Sequence, residues 1–116
     1  RWVSMLDEIA DADLPSVYRL AYAVPVLSHS EGFGLPVLEA MACGTPVLVP
    51  PDSAQSEVAG EAGLALDPRS PVALADGLER VASERFEWRR RGLARAQEFT
   101  WDAAAEKVAA LWRELA

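Results

Sequence analysis

Residues 28–49 read S-H-S-E-G-F-G-L-P-V-L-E-A-M-A-C-G-T-P-V-L-V. They put two carboxylates, a Gly-Phe-Gly turn, a helix opened by proline and an apolar strand into one strand–loop–helix–strand unit. Gly32 and Gly34 carry no Cβ, so the backbone there can take positive φ and let a ligand approach closely. Pro36 suits the first turn of a helix, where its missing N–H is no loss. The N–H groups beside it have no intrahelical acceptor and face whatever fills the loop. A helix end presented in this way is an anion site, best suited to phosphate.

The two acids need a different account. Glu31 stands just before the glycine turn and Glu39 about one turn into the helix, so both flank the same helix end, at about 5 Å of rise per turn. A carboxylate near the positive end of a helix is stabilised in its charged form. Charged carboxylates accept hydrogen bonds and repel phosphate, so their natural partners are hydroxyl groups. Phosphate on the amides and hydroxyls on the acids together describe a sugar nucleotide.

The stretch E-G-F-G-L-P-V-L-E-A-M-A-C-G-T-P-V resembles the E-x7-E signature of the retaining nucleotide-sugar glycosyltransferases of family four, which have the GT-B fold. The likeness continues on both sides. Asp13-Leu14-Pro15 with Tyr18 resembles the helix before the signature. Residues 63–68, G-L-A-L-D-P, resemble the strand and turn after it, and Phe99-Thr100-Trp101 resembles the start of the closing helix. Nearly the whole chain is covered. The resemblance implies that Glu31, as the catalytic-site acid, lies beside the donor sugar and bonds its hydroxyls. It implies that Glu39 bonds the ribose hydroxyls, while backbone amides at Gly32, Phe33, Gly34, Leu35 and Val37 line the sugar and diphosphate. Ser28 matches a serine of the family and is expected to hydrogen-bond near the phosphate.

The resemblance also implies what lies outside these residues. A GT-B enzyme has two Rossmann-like domains with the active site between them. Residues 1–116 resemble part of the C-terminal, donor-binding one, without the N-terminal acceptor domain or the first strands of their own domain. The family's Arg and Lys that neutralise the leaving diphosphate have no R-x4-K counterpart before Glu31; Arg1 and Arg19 stand alone. The expectation is therefore the donor-binding part of a retaining glycosyltransferase, inactive alone and completed by an N-terminal domain in cis or trans. The alternatives are a non-catalytic nucleotide-sugar binding module, a split-enzyme subunit, or a remnant that folds and oligomerises without a ligand. No cofactor and no metal are expected, since GT-B enzymes use protein cations and helix dipoles.

Along the chain, strands and helices alternate, which predicts a Rossmann-like α/β domain with a parallel sheet and flanking helices. Strands are expected over residues 2–6, 24–28, 47–49 and 64–66. Pro25 removes a ladder donor and favours an edge or a bulge. The run Val47-Leu48-Val49 is too apolar for one wet face and reads as a central strand. Helices are expected over residues 14–23 and 36–43, the second closed by Gly44 in a left-handed cap with Pro46 beyond. A short turn follows at 56–59, then a helix from Ser70-Pro71 to Ser83, with Leu74, Leu78 and Val81 as its core stripe. Another helix spans 85–99, and Thr100 caps the last, whose apolar side carries Trp101, Val108, Leu111, Trp112 and Leu115. Trp88 and Trp101 are expected to anchor packing. Where the family has glycines, Ser53-Ala54-Gln55 stands, which puts nucleotide contacts from that loop in question.

The 116 residues are 51% hydrophobic and 25% charged, as a single globular domain would be. A net charge of −7 argues against a nucleic-acid partner. Arg85, Arg89, Arg90, Arg91 and Arg95 read as a solvated helix face, with peripheral contact to anionic lipid as the sharper second reading. Cys43, the one cysteine, cannot form an intramolecular disulfide and fits a reducing, cytoplasmic setting; its surroundings suggest buried packing. No signal-like N-terminus and no apolar run of about 18 residues is present. His29 reads as a loop histidine, and the spelling Asp11-Ala12-Asp13 as a helix cap. The half-sheet would leave an open edge and apolar surface, so self-association as a two-fold homodimer is expected.

Overall fold

The computed structural model describes residues 2–116. Its elements are α1 Leu14–Leu20, β1 Val24–Pro25, α2 Leu35–Ala42, β2 Val47–Val49, α3 Ala54–Ala59, a 3-10 turn Gly60–Ala62, β3 Gly63–Ala65, α4 Pro71–Ser83, α5 Arg85–Ala96 and α6 Trp101–Leu115. The strands form one parallel sheet in the order β1-β2-β3, with Val24 opposite Val47 and Val47 opposite Gly63. This is the α/β architecture expected from the alternation of elements.

β2 is the centre of the molecule because it is apolar at every position. Side chains alternate across a strand, so its three residues feed two cores. Val47 and Val49 join Val37, Ala40 and Met41 of α2 and Val58 and Ala59 of α3 on one face. Leu48 points the other way, onto Val81 of α4 and Trp88 of α5. α4 approaches so closely that a Cβ on Gly77 would lie 2.8 Å from Leu66 Cδ2 and 3.0 Å from Leu48 Cδ2.

Local chemistry sets the element ends. Gly44 closes α2 at φ +75°, in the left-handed region, with Pro46 just beyond. Ser70 and Thr100 accept from the N–H groups of Ala73 and Ala103, capping α4 and α6. Ser53 and Ser56 form a reciprocal capping box, so α3 begins at Ala54, two residues earlier than expected. Pro25 lies on the edge strand. The Val24 N–H donates to the Pro46 carbonyl and the Val26 N–H to the Leu48 carbonyl, both at 2.9 Å. Position 25 between them faces away from β2, where a missing N–H breaks no bond.

Several expectations change. Residues 2–6 form no strand, and Trp2, Met5 and Leu6 are exposed. An apolar run becomes a strand only where a ladder receives it, and the outward position of β1 is a proline. The strand expected over 24–28 pairs only at Val24–Pro25, and beyond it one bond to β2 remains, from the Val26 N–H to the Leu48 carbonyl. α1 stops at Leu20, since Ala21 is extended at ψ 142°. α5 stops at Ala96, and Phe99 turns onto Phe33. Leu78 sits at the rim, and Cys43 is half-buried rather than in the core. Trp88 anchors packing, but Trp101 does not: it is exposed, as are Val108, Leu111, Trp112 and Leu115 along α6.

Candidate functional site

The chain leaves the carboxyl ends of β1 and β2 and enters α2 and α3 through two loops that meet. Ligand crevices of open α/β sheets form at strand ends of this kind. Gly34 is the N-cap of α2 at φ +94°, a conformation that L side chains rarely adopt. A Cβ there would lie 3.4 Å from Gln55 Cα, an ordinary van der Waals contact, so it is the backbone conformation rather than the space beside α3 that calls for glycine. Gly32 differs: it has no positive φ, and a Cβ would meet nothing within 4 Å. One of the two glycines makes the turn.

The N–H groups of Gly32, Phe33, Gly34 and Leu35 donate to no acceptor among the described residues. That of Val37 is committed to the Gly34 carbonyl at 3.1 Å, and Val37 itself is fully buried. Pro36 has no N–H to offer. The free donors at this helix end therefore lie at and before Leu35, not one turn further in.

Each acid is held by a neutral donor. The Ser28 hydroxyl donates to Glu31 Oε1 at 2.7 Å. With its single proton on Glu31, Ser28 has no donor left for a phosphate in this arrangement. Gln55 Nε2 in turn donates to the Ser28 carbonyl and to Ser28 Oγ, both at 3.0 Å. On the other side, Tyr18 of α1 donates from its hydroxyl to Glu39 Oε2 at 2.9 Å. Partial burial, reinforced by that bond to Glu39, pushes the Tyr18 hydroxyl up to about 12. It therefore remains a donor throughout the neutral range.

Phe33, at the tip of the turn, meets Phe99 edge-to-face with ring centroids 6.1 Å apart. Beside them lies a cavity of about 270 Å³ lined by Gly32, Phe33, Ala54, Glu57, Arg95 and Lys107, among others. Arg95 is the cation nearest in kind to what a diphosphate needs, but its guanidinium is already used. It donates to the carbonyls of Val58 and Glu57 and to the Glu98 carboxylate. Lys107 lies on the same wall.

Three of the other α5 arginines, Arg85, Arg90 and Arg91, are also occupied within the fold. Arg90 and Arg91 both pair with Glu87, which they hold down to about 2. Arg85 lies 4.8 Å from the Tyr22 ring centre, and Arg91 lies 5.4 Å from that of Trp88. His29 is exposed in the loop. Among the described residues, no group of three His, Cys, Asp or Glu side chains could hold a metal ion, and no helix is long and apolar enough to cross a membrane.

Two contacts at the candidate site escape a reading of the sequence. Gln55 stands where glycines were expected, yet it is the residue that reaches Ser28 across the loop. The loop reaches α3 with Asp52 at φ +49°, a left-handed position that aspartate tolerates better than most residues. The Tyr18–Glu39 bond joins α1 to α2. In both cases the partners lie far apart along the chain, and no spacing rule joins them.

Residues 2–99 match the family described as glycosyl transferases group 1. Among similar proteins, the O-antigen chain mannosyltransferase B of Escherichia coli is 39% identical over 105 residues, covering 87% of this chain and 27% of that protein. A D-inositol 3-phosphate glycosyltransferase of Corynebacterium diphtheriae is 37% identical over 98% of this chain and 28% of its own length. The sucrose-phosphate synthase of Thermosynechococcus elongatus superposes with a TM-score of 0.79 at 32% identity, over 97% of this chain and 30% of that structure. The chain thus spans between 27% and 30% of the length of these three proteins.

Proposed function

This chain belongs to the glycosyl transferases group 1, with an α/β fold matching part of a GT-B glycosyltransferase; from that premise we propose that its 31–39 unit binds a nucleoside-diphosphate sugar for retaining transfer to an acceptor. The observation that carries this reading is the pairing of two carboxylates, each fixed by a neutral hydroxyl, with a run of free N–H groups at one glycine-opened helix end. The amides from Gly32 to Leu35 take the diphosphate. Glu39 takes the ribose hydroxyls and Glu31 the hydroxyls of the sugar. Neutral holders matter here. A cation on either acid would compete with the ligand, whereas a hydroxyl fixes one oxygen and leaves the other free to accept.

Transfer needs more than these residues. Charge on the leaving diphosphate must be stabilised, and this electrostatic contribution is usually the largest in catalysis. Arg95 is bound to α3 carbonyls and Glu98, so we propose that the compensating cations come from the first strands of the donor-binding domain, and the acceptor site from an N-terminal GT-B domain, in cis or in trans. The chain alone is then a donor-binding unit without turnover. That same occupancy of Arg95 favours the second reading, a nucleotide-sugar binding module or split-enzyme subunit. Its one cysteine, half-buried and unpaired, suits a reducing, cytoplasmic setting.

A thermal-shift panel of UDP-glucose, GDP-mannose, UDP and GDP tests the binding reading. A ligand that binds only the folded state raises the melting temperature. Glu39→Ala is expected to weaken binding of whichever sugar nucleotide responds by about 1.5–3 kcal/mol, the range for hydrogen bonds to a charged group. Unchanged affinity in that variant removes Glu39 from the site.

A further inference from the structure

We propose that Gln55 is a positioning residue that fixes the Glu31 carboxylate through Ser28; its bearing on ligand binding rests on the donor-site reading above. Gln55 is 1% exposed and lies in the first turn of α3, with its backbone against Gly34. Its amide orientation is set by its neighbour. The Ser28 carbonyl can only accept, so the group facing it at 3.0 Å must be the nitrogen, Nε2. The second Nε2 proton is directed to Ser28 Oγ, also at 3.0 Å.

That second bond has a directional effect. A serine hydroxyl free to rotate can send its one proton to either side. Here the oxygen already accepts from Gln55, so the proton turns outward and meets Glu31 Oε1 at 2.7 Å. The bond to the Ser28 carbonyl would suffice to tie the loop to α3. The bond to Oγ adds nothing to that tie, and what it does is hold the serine rotamer that reaches Glu31. The residue whose backbone abuts the glycine turn therefore also orients the acid in front of it. A glycine at this position could do the first but not the second.

Gln55→Met keeps the volume and removes both donors. Ser28→Ala breaks the relay from the exposed side, where folding is not at stake, and Ser28→Thr restores the hydroxyl. Titrations use GDP-mannose and UDP-glucose beside GDP and UDP. Gln55→Met and Ser28→Ala are expected to weaken the responding sugar nucleotide about tenfold, the effect of losing roughly 1.4 kcal/mol. The matching nucleoside diphosphate should be unaffected, and Ser28→Thr should recover the wild-type value. Equal loss for both ligands, or no loss for either, overturns the assignment and leaves Gln55 as a structural tie. A ligand-free measurement decides the case if wild type binds none of the probes, a result that defeats the donor-site reading alone. Side-chain couplings of Glu31 measured by NMR should report one χ1 rotamer in wild type and several in Gln55→Met. The same single rotamer in both proteins overturns the proposal.

Discussion

Trp88 and Trp101 compare two regions of one small molecule. Both sit on helices, and both carry aromatic surface that water disfavours. Trp88 is 4% exposed, wedged under β2 beside Leu48 and Val81, while Trp101 is 89% exposed at the start of α6. The sheet core is closed on both faces, with α2 and α3 on one side and α4 with Trp88 of α5 on the other. The flanks are not: residues 2–6 and the apolar stripe of α6 face solvent. Amphipathic spacing says which side of a helix is apolar. It says nothing about what lies over that side.

The sharpest way to break this contrast is to truncate both tryptophans. Trp88→Ala is expected to cost roughly 3–5 kcal/mol, as large aromatic deletions in cores do. Trp101→Ala should stay within about 0.5 kcal/mol, as surface changes usually do. Denaturant melts of the two variants decide it, and a comparable loss at Trp101 would mean that α6 is buried in solution. Self-association is the one route to that burial within this chain. We therefore expect wild type to sediment with concentration dependence at micromolar levels, and a Trp101→Ala/Trp112→Ala double variant to lose it. A wild-type monomer at all concentrations would remove the proposed homodimer.

The glycines of the turn offer a second, smaller contrast. Gly34→Ala forces a side chain into the left-handed region and should cost about 1–2 kcal/mol. Gly32→Ala has open space and ordinary φ, and should be nearly neutral in the same melts. Equal costs would show that the turn does not depend on Gly34.

The smallest effect is in pH dependence. The folded Tyr18 hydroxyl is pushed up from 10.0 to about 12. The folded state therefore binds more protons than the unfolded chain over that interval, and stability falls as pH rises. The contribution is complete below pH 10 and lost by about pH 12. Glu87 works in the opposite sense, because Arg90 and Arg91 hold it down to about 2 from 4.5. Its contribution is present above pH 4.5 and lost as pH falls toward 2. Tyr18→Phe should flatten the alkaline limb of a stability–pH profile and leave the acid limb unchanged.

Much of the fold was legible because single residues dictated single outcomes. A fully apolar triplet made β2 central, Gly44 with Pro46 closed α2, Ser70 and Thr100 capped their helices, and Pro25 marked an edge. The rest depended on partners. Residues 2–6 had the composition of a strand and no ladder to join. At the candidate site, the acids and the glycine turn were visible as a run of sequence, but the groups that hold them were not. Gln55 and Tyr18 reach Ser28 and Glu39 from other elements, and only the packing of α3 and α1 against α2 brings them near. The N–H of Val37 is spent for a local reason: the first helical turn takes it, at the Gly34 carbonyl.

Pro25 has one more consequence. In a parallel strand the two backbone groups of a residue point to the same side, so the outer rim of β1 at this position offers a carbonyl and no donor. Any strand laid against that rim can give a hydrogen bond there but cannot receive one, and the proline ring occupies the space where its own carbonyl would approach. The rim thus works as a register key. It admits a neighbour that bulges or widens opposite residue 25 and rejects a flat, fully bonded copy of β1 itself. The same residue that ends the sheet on this side also selects what can extend it.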